Sequence, residues 1–191
     1  MNTIQAEKRD FSKKAKQLRR EGIIPGSVYG GPLKESVCLQ MKNADVRKLL
    51  MSKRVGSRVT VELHGKNIPA QIKDKSVDTL TGAIQNLDFQ ALKADQKVNS
   101  VVHILLENTD KVTELLEFTL TEIPYAALPA HMIDTITIDV DGMPVGTTIT
   151  VGDLKELNND DIELQVDKDE MILKIVEKPM ILDEESETAA E

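Results

Sequence analysis

Seven cations fall within thirteen residues near the start of the chain: Lys8, Arg9, Lys13, Lys14, Lys16, Arg19 and Arg20. Lysine and arginine at this density neutralise phosphates and release the counterions condensed on a polyanion. The stretch therefore predicts salt-dependent nucleic-acid affinity. The competing reading is a solvated basic face, and charge alone does not separate RNA from DNA. Tyr29 lies just beyond the run. Its ring could stack on a base or set its hydroxyl against a ribose, or it could belong to the core.

Other chemistries lack their residues. His64, His103 and His131 are widely separated along the chain. Asp139 and Asp141 precede Gly142, but the remaining ligands of a calcium loop are missing. Gly30-Gly31 is neither a dinucleotide fingerprint nor a phosphate loop, and no serine sits in a nucleophile elbow. Cys38, the only cysteine, has no catalytic partner nearby in sequence. The expectation is a protein that is not an enzyme and uses no metal, cofactor or small-molecule substrate.

The elements that must position the basic stretch are short and mostly extended. Thr3 to Lys8 reads as an opening strand. Asp10 to Gly22 reads as a basic loop with at most a turn or two of helix, since Ala15 and Leu18 give it a thin apolar face; Ser12 is a candidate cap and Gly22 a candidate stop. Ser27 to Tyr29 reads as a strand closing at Gly30-Gly31-Pro32. Ser36 to Met41 alternates, with Val37, Leu39 and Met41 on one face. Ala44 to Lys53 has helical spacing, with Asn43 as N-cap. Val59, Val61 and Leu63 alternate again. His64 to Asn67 marks a hairpin turn, Ile68 to Lys73 returns, and Ala83 to Leu92 makes another strand. Five or six short strands with one good helix suit a small barrel or a strongly curved sheet.

Beyond a polar boundary at Lys93 to Asn99, Ser100 to Glu107 and Glu114 to Ile123 read as extended segments. Ile136, Ile138 and Val140 alternate into the turn Asp141-Gly142. Thr148 to Val151 leads to a helical turn. Ile162 to Val166 and Met171 to Val176 read as a closing hairpin around Asp167 to Glu170.

The net charge of −8 conceals two halves of opposite sign. Met1 to Leu92 holds 17 lysines and arginines against 9 acids, a net of +8; Lys93 to Glu191 holds 7 against 23, a net of −16. A basic module that meets a polyanion joined to an acidic one that does not is the reading this asymmetry supports. At 191 residues with 40% hydrophobic side chains, a core is within reach, but with 3% aromatics and no tryptophan it must be aliphatic. No apolar run approaches the roughly 20 residues of a membrane span. The opening residues lack an apolar signal core, and one unpaired cysteine fits a reducing compartment.

At this point the residues carry a resemblance. Arg9 and the run Leu18-Arg19-Arg20-Glu21-Gly22-Ile23-Ile24-Pro25-Gly26-Ser27-Val28-Tyr29-Gly30 resemble the basic signature of the bacterial ribosomal protein L-twenty-five/CTC family. Ile72-Lys73-Asp74, Thr81-Gly82 and Leu87-Asp88-Phe89 are similar to that family's second block. The strand Ile136 to Val140, with Asp141-Gly142, Val145-Gly146 and Asp153-Leu154, resembles the second domain of its long, general stress protein form. The family's first domain is a small β-barrel that binds 5S ribosomal RNA at its loop E helix. The resemblance implies that Arg9, Lys16 and Arg19 hold phosphates, that Tyr29 contacts the RNA backbone, and that Lys73 and Asp88 fall at contact positions. Lys13, Lys14 and Arg20 would add phosphate contacts. Asn86 stands where the family has histidine, able still to hydrogen-bond a base edge. Val77 stands where a basic residue is common, and Thr79 where proline is.

The expected fold is mainly β: an N-terminal small β-barrel with one or two helices (1–92), a second acidic, β-rich domain (93–178) and a disordered acidic tail (179–191). The expected function is a structural protein of the large ribosomal subunit, cytoplasmic, which binds 5S rRNA through its basic half and meets neighbouring ribosomal proteins but no membrane. The alternative is a stress-related protein-interaction module of the same family with weakened rRNA binding.

Overall fold

The computed structural model describes residues 3–112, 114–159 and 161–177. The acidic segment 179–191, expected to be disordered, lies outside the described residues. Six strands close into a barrel: β1 (Thr3–Lys8), β2 (Ile23–Tyr29), β3 (Val37–Lys42), β4 (Arg58–Leu63), β5 (Lys66–Val77) and β6 (Ile84–Ala91), in the order β1-β3-β2-β6-β5-β4. The pairs β1–β4 and β2–β6 are parallel and the rest antiparallel. Closure removes the exposed sheet edge, a liability in so small a sheet. Alternation fills the interior with Ile4, Val28, Leu39, Met41, Val61, Ile72, Leu87 and Phe89, all buried. This is the aliphatic core the composition demands.

Two helices attach to the barrel, α1 (Ala15–Arg20) and α2 (Asn43–Ser52). Asn43 is not the cap of α2 but its first helical residue; Lys42 takes the cap position without a side-chain bond. The reason is a backbone tie: the Asn43 N–H donates to Gly22 O at 2.9 Å, drawing residue 43 into the helix. Ser12 likewise does not cap α1, which starts after Lys14. Strand β2 begins four residues earlier than Ser27, at Ile23, and runs through Pro25. Pairing with β6 starts only at Gly26, so Pro25 stands where the strand has a neighbour on one side. The turn between β4 and β5 is the two-residue pair His64-Gly65, both left-handed (φ 49° and 74°), the conformation that matches the twist of the flanking strands.

Beyond the barrel, a four-stranded sheet has the order β10 (Thr135–Asp139), β7 (Val98–Glu107), β9 (Glu122–Ala127), β12 (Ile162–Leu164). A three-stranded sheet has the order β11 (Thr148–Thr150), β13 (Met171–Val176), β8 (Leu115–Phe118). Val102, Ile123, Tyr125, Ile172 and Leu173 form their common core. Two expectations are corrected here. The extended segment 114–123 divides into β8 and β9, which lie in different sheets; the break at Thr119 and Leu120 turns both N–H groups onto Ile172 O. Nor do β12 and β13 form a hairpin. β12 pairs with β9, while β13 pairs with β8 and β11. The 151–153 turn inserts between them, donating from Val151 and Gly152 to Glu170 O and Lys168 O, and so carries β13 into the other sheet.

The barrel and these sheets meet at the turn between α2 and β4. Ser100 Oγ donates to Gly56 O at 2.9 Å, His103 Nε2 to Val55 O at 2.7 Å, and Arg58 Nη1 to Pro129 O at 2.9 Å. Lys53 pairs with Asp134. Gln71, fully buried, donates to Gln90 Oε1 and to Asn99 O. The joint is thus polar; it engages Gln90 near the end of β6, whereas α1 meets Gln85 near the start of that strand.

Candidate nucleic-acid interface

The alternation that turns Leu87 and Phe89 into the barrel turns Asn86, Asp88 and Gln90 out of it. Parallel pairing sets Ser27 beside Asp88 and Tyr29 beside Gln90; antiparallel pairing sets Asp74 beside Asp88 and Ser76 beside Asn86. On the other side Cys38 lies beside Ser27, and the Arg9 N–H donates to Cys38 O at 2.9 Å. One outward row therefore runs from Arg9, just past the end of β1, across four strands: Cys38, Ser27, Asp88, Asp74. At about 4.8 Å per strand it spans roughly 19 Å.

The middle of the row is an ordered polar cluster. Ser27 Oγ donates to Asp88 Oδ1 at 2.8 Å and Asn86 Nδ2 donates to Asp88 Oδ2 at 2.7 Å. An ionised carboxylate only accepts, so Asn86 must present its amino group to Asp88 and its carbonyl oxygen away from it. Asp88 thereby fixes the orientation of Asn86, leaving an acceptor aimed elsewhere. Lys73 sits at a register shift between Ile72 and Asp74, the bulged residue of β5, and is exposed. Bulges re-aim side chains in this way. Tyr29 is half out of the barrel at 37% exposure, which settles it as a surface residue beside Gln90 and not a core tyrosine.

Helix α1 brings Arg19 to this face. Buried Leu18 anchors it, it packs against β2, and Arg19 Nη1 donates to Gln85 O at 3.3 Å, next to Asn86. Lys14, Lys16 and Arg20 are exposed around it. Arg9 is half-buried, with its guanidinium 5.7 Å from the centroid of the Phe11 ring. Lys13 differs from the others, because its Nζ lies 2.7 Å from Glu21 Oε2. The Glu21 hydrogen bond raises the Lys13 pKa above its ordinary value, and the same bond lowers that of Glu21. The loop before α1 is fixed by Asp10, whose carboxylate accepts from the Ser12 N–H at 2.9 Å and hydroxyl at 2.8 Å. Those bonds, the backbone one first, lower the Asp10 pKa.

All ten residues singled out from the sequence thus lie on the β2–β6–β5 face or on the loop and helix bordering it. Ser27, Asp74 and Gln90 were not singled out; only the strand register reveals that they share the face. Among the described residues no group of three or more histidine, cysteine or carboxylate side chains is placed to hold a metal ion, and no helix is long and apolar enough to cross a membrane.

Two family models match the chain. The Ribosomal L25p family matches residues 4–89, and the model described as ribosomal protein TL5, C-terminal domain, matches residues 97–179. The chain is similar to a large ribosomal subunit protein bL25 of Akkermansia muciniphila, 30% identical over 196 residues, covering 100% of this chain and 95% of the relative. It is also similar to bL25 of Enterococcus faecalis, 30% identical with 92% and 87% covered. With bL25 of Chloroherpeton thalassium the identity is 32%, with 85% and 84% covered.

Proposed function

The chain belongs to the Ribosomal L25p family in its long, two-domain form, a structural and non-enzymatic component of the large ribosomal subunit in the bacterial cytoplasm, and from that premise we propose that its barrel binds 5S rRNA at the loop E region. The observation that supports this reading most is convergence. Arg19, on the helix that also carries Lys16 and Arg20, reaches Gln85 O beside the outward Tyr29, Lys73, Asn86 and Asp88 of one outer face of the barrel. A-form RNA presents a wide, shallow minor groove with 2′-hydroxyls and base edges, which a shallow protein face can approach. Lys14, Lys16, Arg19 and Arg20 on the loop and helix would hold phosphates, with Arg9 at the end of the row; Lys13 would join only by leaving Glu21. Asn86, oriented by Asp88, would accept from a base amino group. Tyr29 would contact the backbone at the opposite end from α1. We place the domain division between residues 92 and 93, because β6 ends at Ala91 and the next sheet opens at Val98. The acidic second domain joins next to the Tyr29, Gln90 and Lys73 end of the face, where Lys73 Nζ lies 3.5 Å from Asn99 O, and its negative charge would turn the rest of it from RNA toward neighbouring ribosomal proteins.

The test is an electrophoretic mobility-shift titration of loop E RNA at two salt concentrations. Tight binding that weakens steeply with salt is expected; no binding, or binding indifferent to salt, defeats the reading. The second reading, an interaction module with weakened rRNA affinity, draws support from Val77, uncharged and 43% exposed at the end of β5. Retention on large subunits through a high-salt wash separates the two, because the weakened form would be stripped.

A further inference from the structure

We infer that Phe11 is a stacking platform for an unpaired RNA base at the rim of the barrel's basic face, an inference that rests on the RNA-binding reading and adds a residue to it. Of the large hydrophobic side chains that the barrel exposes among the described residues, only Met51 sits on α2; Phe11, Tyr29, Val77 and Leu80 lie around the candidate face. Phe11 is 70% exposed. Its exposure is built in and does not come from a fraying loop. The Asp10 N–H donates to Gln40 Oε1 at 3.3 Å, and the Asp10 carboxylate holds Ser12 on the other side of the ring. The Arg9 guanidinium, 5.7 Å from the ring centroid, lies within cation–π range and supports the ring. Its Nε is buried and, among the described residues, has no hydrogen-bond partner, so the contact with the ring is made by the remainder of the guanidinium.

The surroundings select the occupant. A ring set among Arg9, Lys13 and Lys14 suits a partner that offers a π-face and negative charge together. RNA with splayed bases offers both, whereas a fully paired helix keeps its base faces stacked internally. Phe11 would therefore add discrimination for irregular RNA to the sequence-blind attraction of the lysines.

The experiment uses the full chain and two RNAs of equal length, one with the loop E helix interrupted by unpaired bases (the looped RNA) and one fully paired. Phe11→Ala should weaken binding of the looped RNA roughly five- to a hundredfold, the range found when a base-stacking aromatic is truncated. It should leave the salt slope unchanged and barely affect the paired RNA. Because the chain has no tryptophan, Phe11→Trp supplies a single reporter whose emission should be quenched by the looped RNA and not by the paired one. If the wild type binds but Phe11→Ala matches it on the looped RNA, or loses equally on both RNAs, the inference is wrong. Failure of the wild type to bind either RNA overturns the RNA reading, and the inference with it.

Discussion

Lys13 and Glu21 allow the electrostatic part of the proposed interface to be counted. Of the six cations assigned to the interface between residues 9 and 20, Lys13 is engaged by a carboxylate at 2.7 Å, leaving Arg9, Lys14, Lys16, Arg19 and Arg20 for phosphate. At about −0.7 per neutralised phosphate, five contacts give a log–log salt slope of about −3.5. Glu21→Gln releases Lys13 and should steepen the slope to about −4. Between 200 and 50 mM salt, one further contact at that slope enlarges the advantage of Glu21→Gln over the wild type about 2.6-fold. Lys14→Ala, by contrast, should flatten the slope by about 0.7, while Lys13→Ala should leave it nearly unchanged. Fluorescence anisotropy titrations at four or five salt concentrations resolve such differences. If Lys13→Ala flattens the slope as much as Lys14→Ala does, the ion pair opens in the complex and the count is wrong.

Three further outcomes are expected. Gly56 has φ +88°, and a Cβ there would stand 2.7 Å from Val101 O; left-handed strain and overpacking together should cost Gly56→Ala about 2–3 kcal/mol in urea unfolding, with RNA affinity unaffected. An unchanged midpoint would show that the joint between the barrel and the following sheets yields freely. Asp10 has its pKa lowered, so its ordering of the loop persists above 3.8 and is lost only as pH falls through the lower folded value; the Ser12 amide shift should titrate below 3.8 and lose this transition in Asp10→Asn, whereas a midpoint at or above 3.8 contradicts the hydrogen-bonded turn. Asp88→Asn keeps the shape and both hydrogen bonds, with the new amide oxygen accepting from Asn86 and its amino group donating to the Ser27 hydroxyl, but both become neutral and about half as strong and Asn86 is freer to flip, so a loss of about 1 kcal/mol in stability is expected by thermal melting, together with reduced discrimination between looped and paired RNA. No loss in either measurement would mean the cluster orients nothing.

The barrel was largely legible because its strands are half-buried and alternate: β1 and β4 follow directly from Ile4-Ala6 and Val59-Val61-Leu63. Strand pairing was not legible, since alternation marks which residues share a face of one strand and says nothing of which strand lies beside it. That is why Ile162 to Val176 read as a hairpin, although its two strands belong to different sheets, and why Ser27 and Asp74 went unnoticed beside Asp88. Lys53 gives the same lesson: in sequence it closes a helix, but folding sets it against Asp134 of a distant segment. Arg47 and Lys48, exposed on α2, are therefore the suitable neutral controls for Arg19→Ala. The cation cluster could be read at once because it is local in sequence.

Carboxylates at the centre of a face that meets a polyanion have a physical use. Asp74 and Asp88 are cross-strand neighbours, and both repel phosphate. Apart from Lys73, which neighbours Asp74 on β5, the proposed phosphate-holding cations stand away from them on the loop and α1, with Arg9 at the far end of the row. Phosphate contacts supply affinity and register but carry no sequence information, whereas base edges do. An RNA that lays its backbone across the centre of the row meets two acids and gains nothing there. An RNA whose backbone follows the rim and whose amino groups reach the centre satisfies Asn86 and the acids while keeping the rim contacts. Lysines alone would bind either arrangement, so in the proposed complex it is the acidic centre that would let this face prefer an irregular RNA over any other stretch of phosphate.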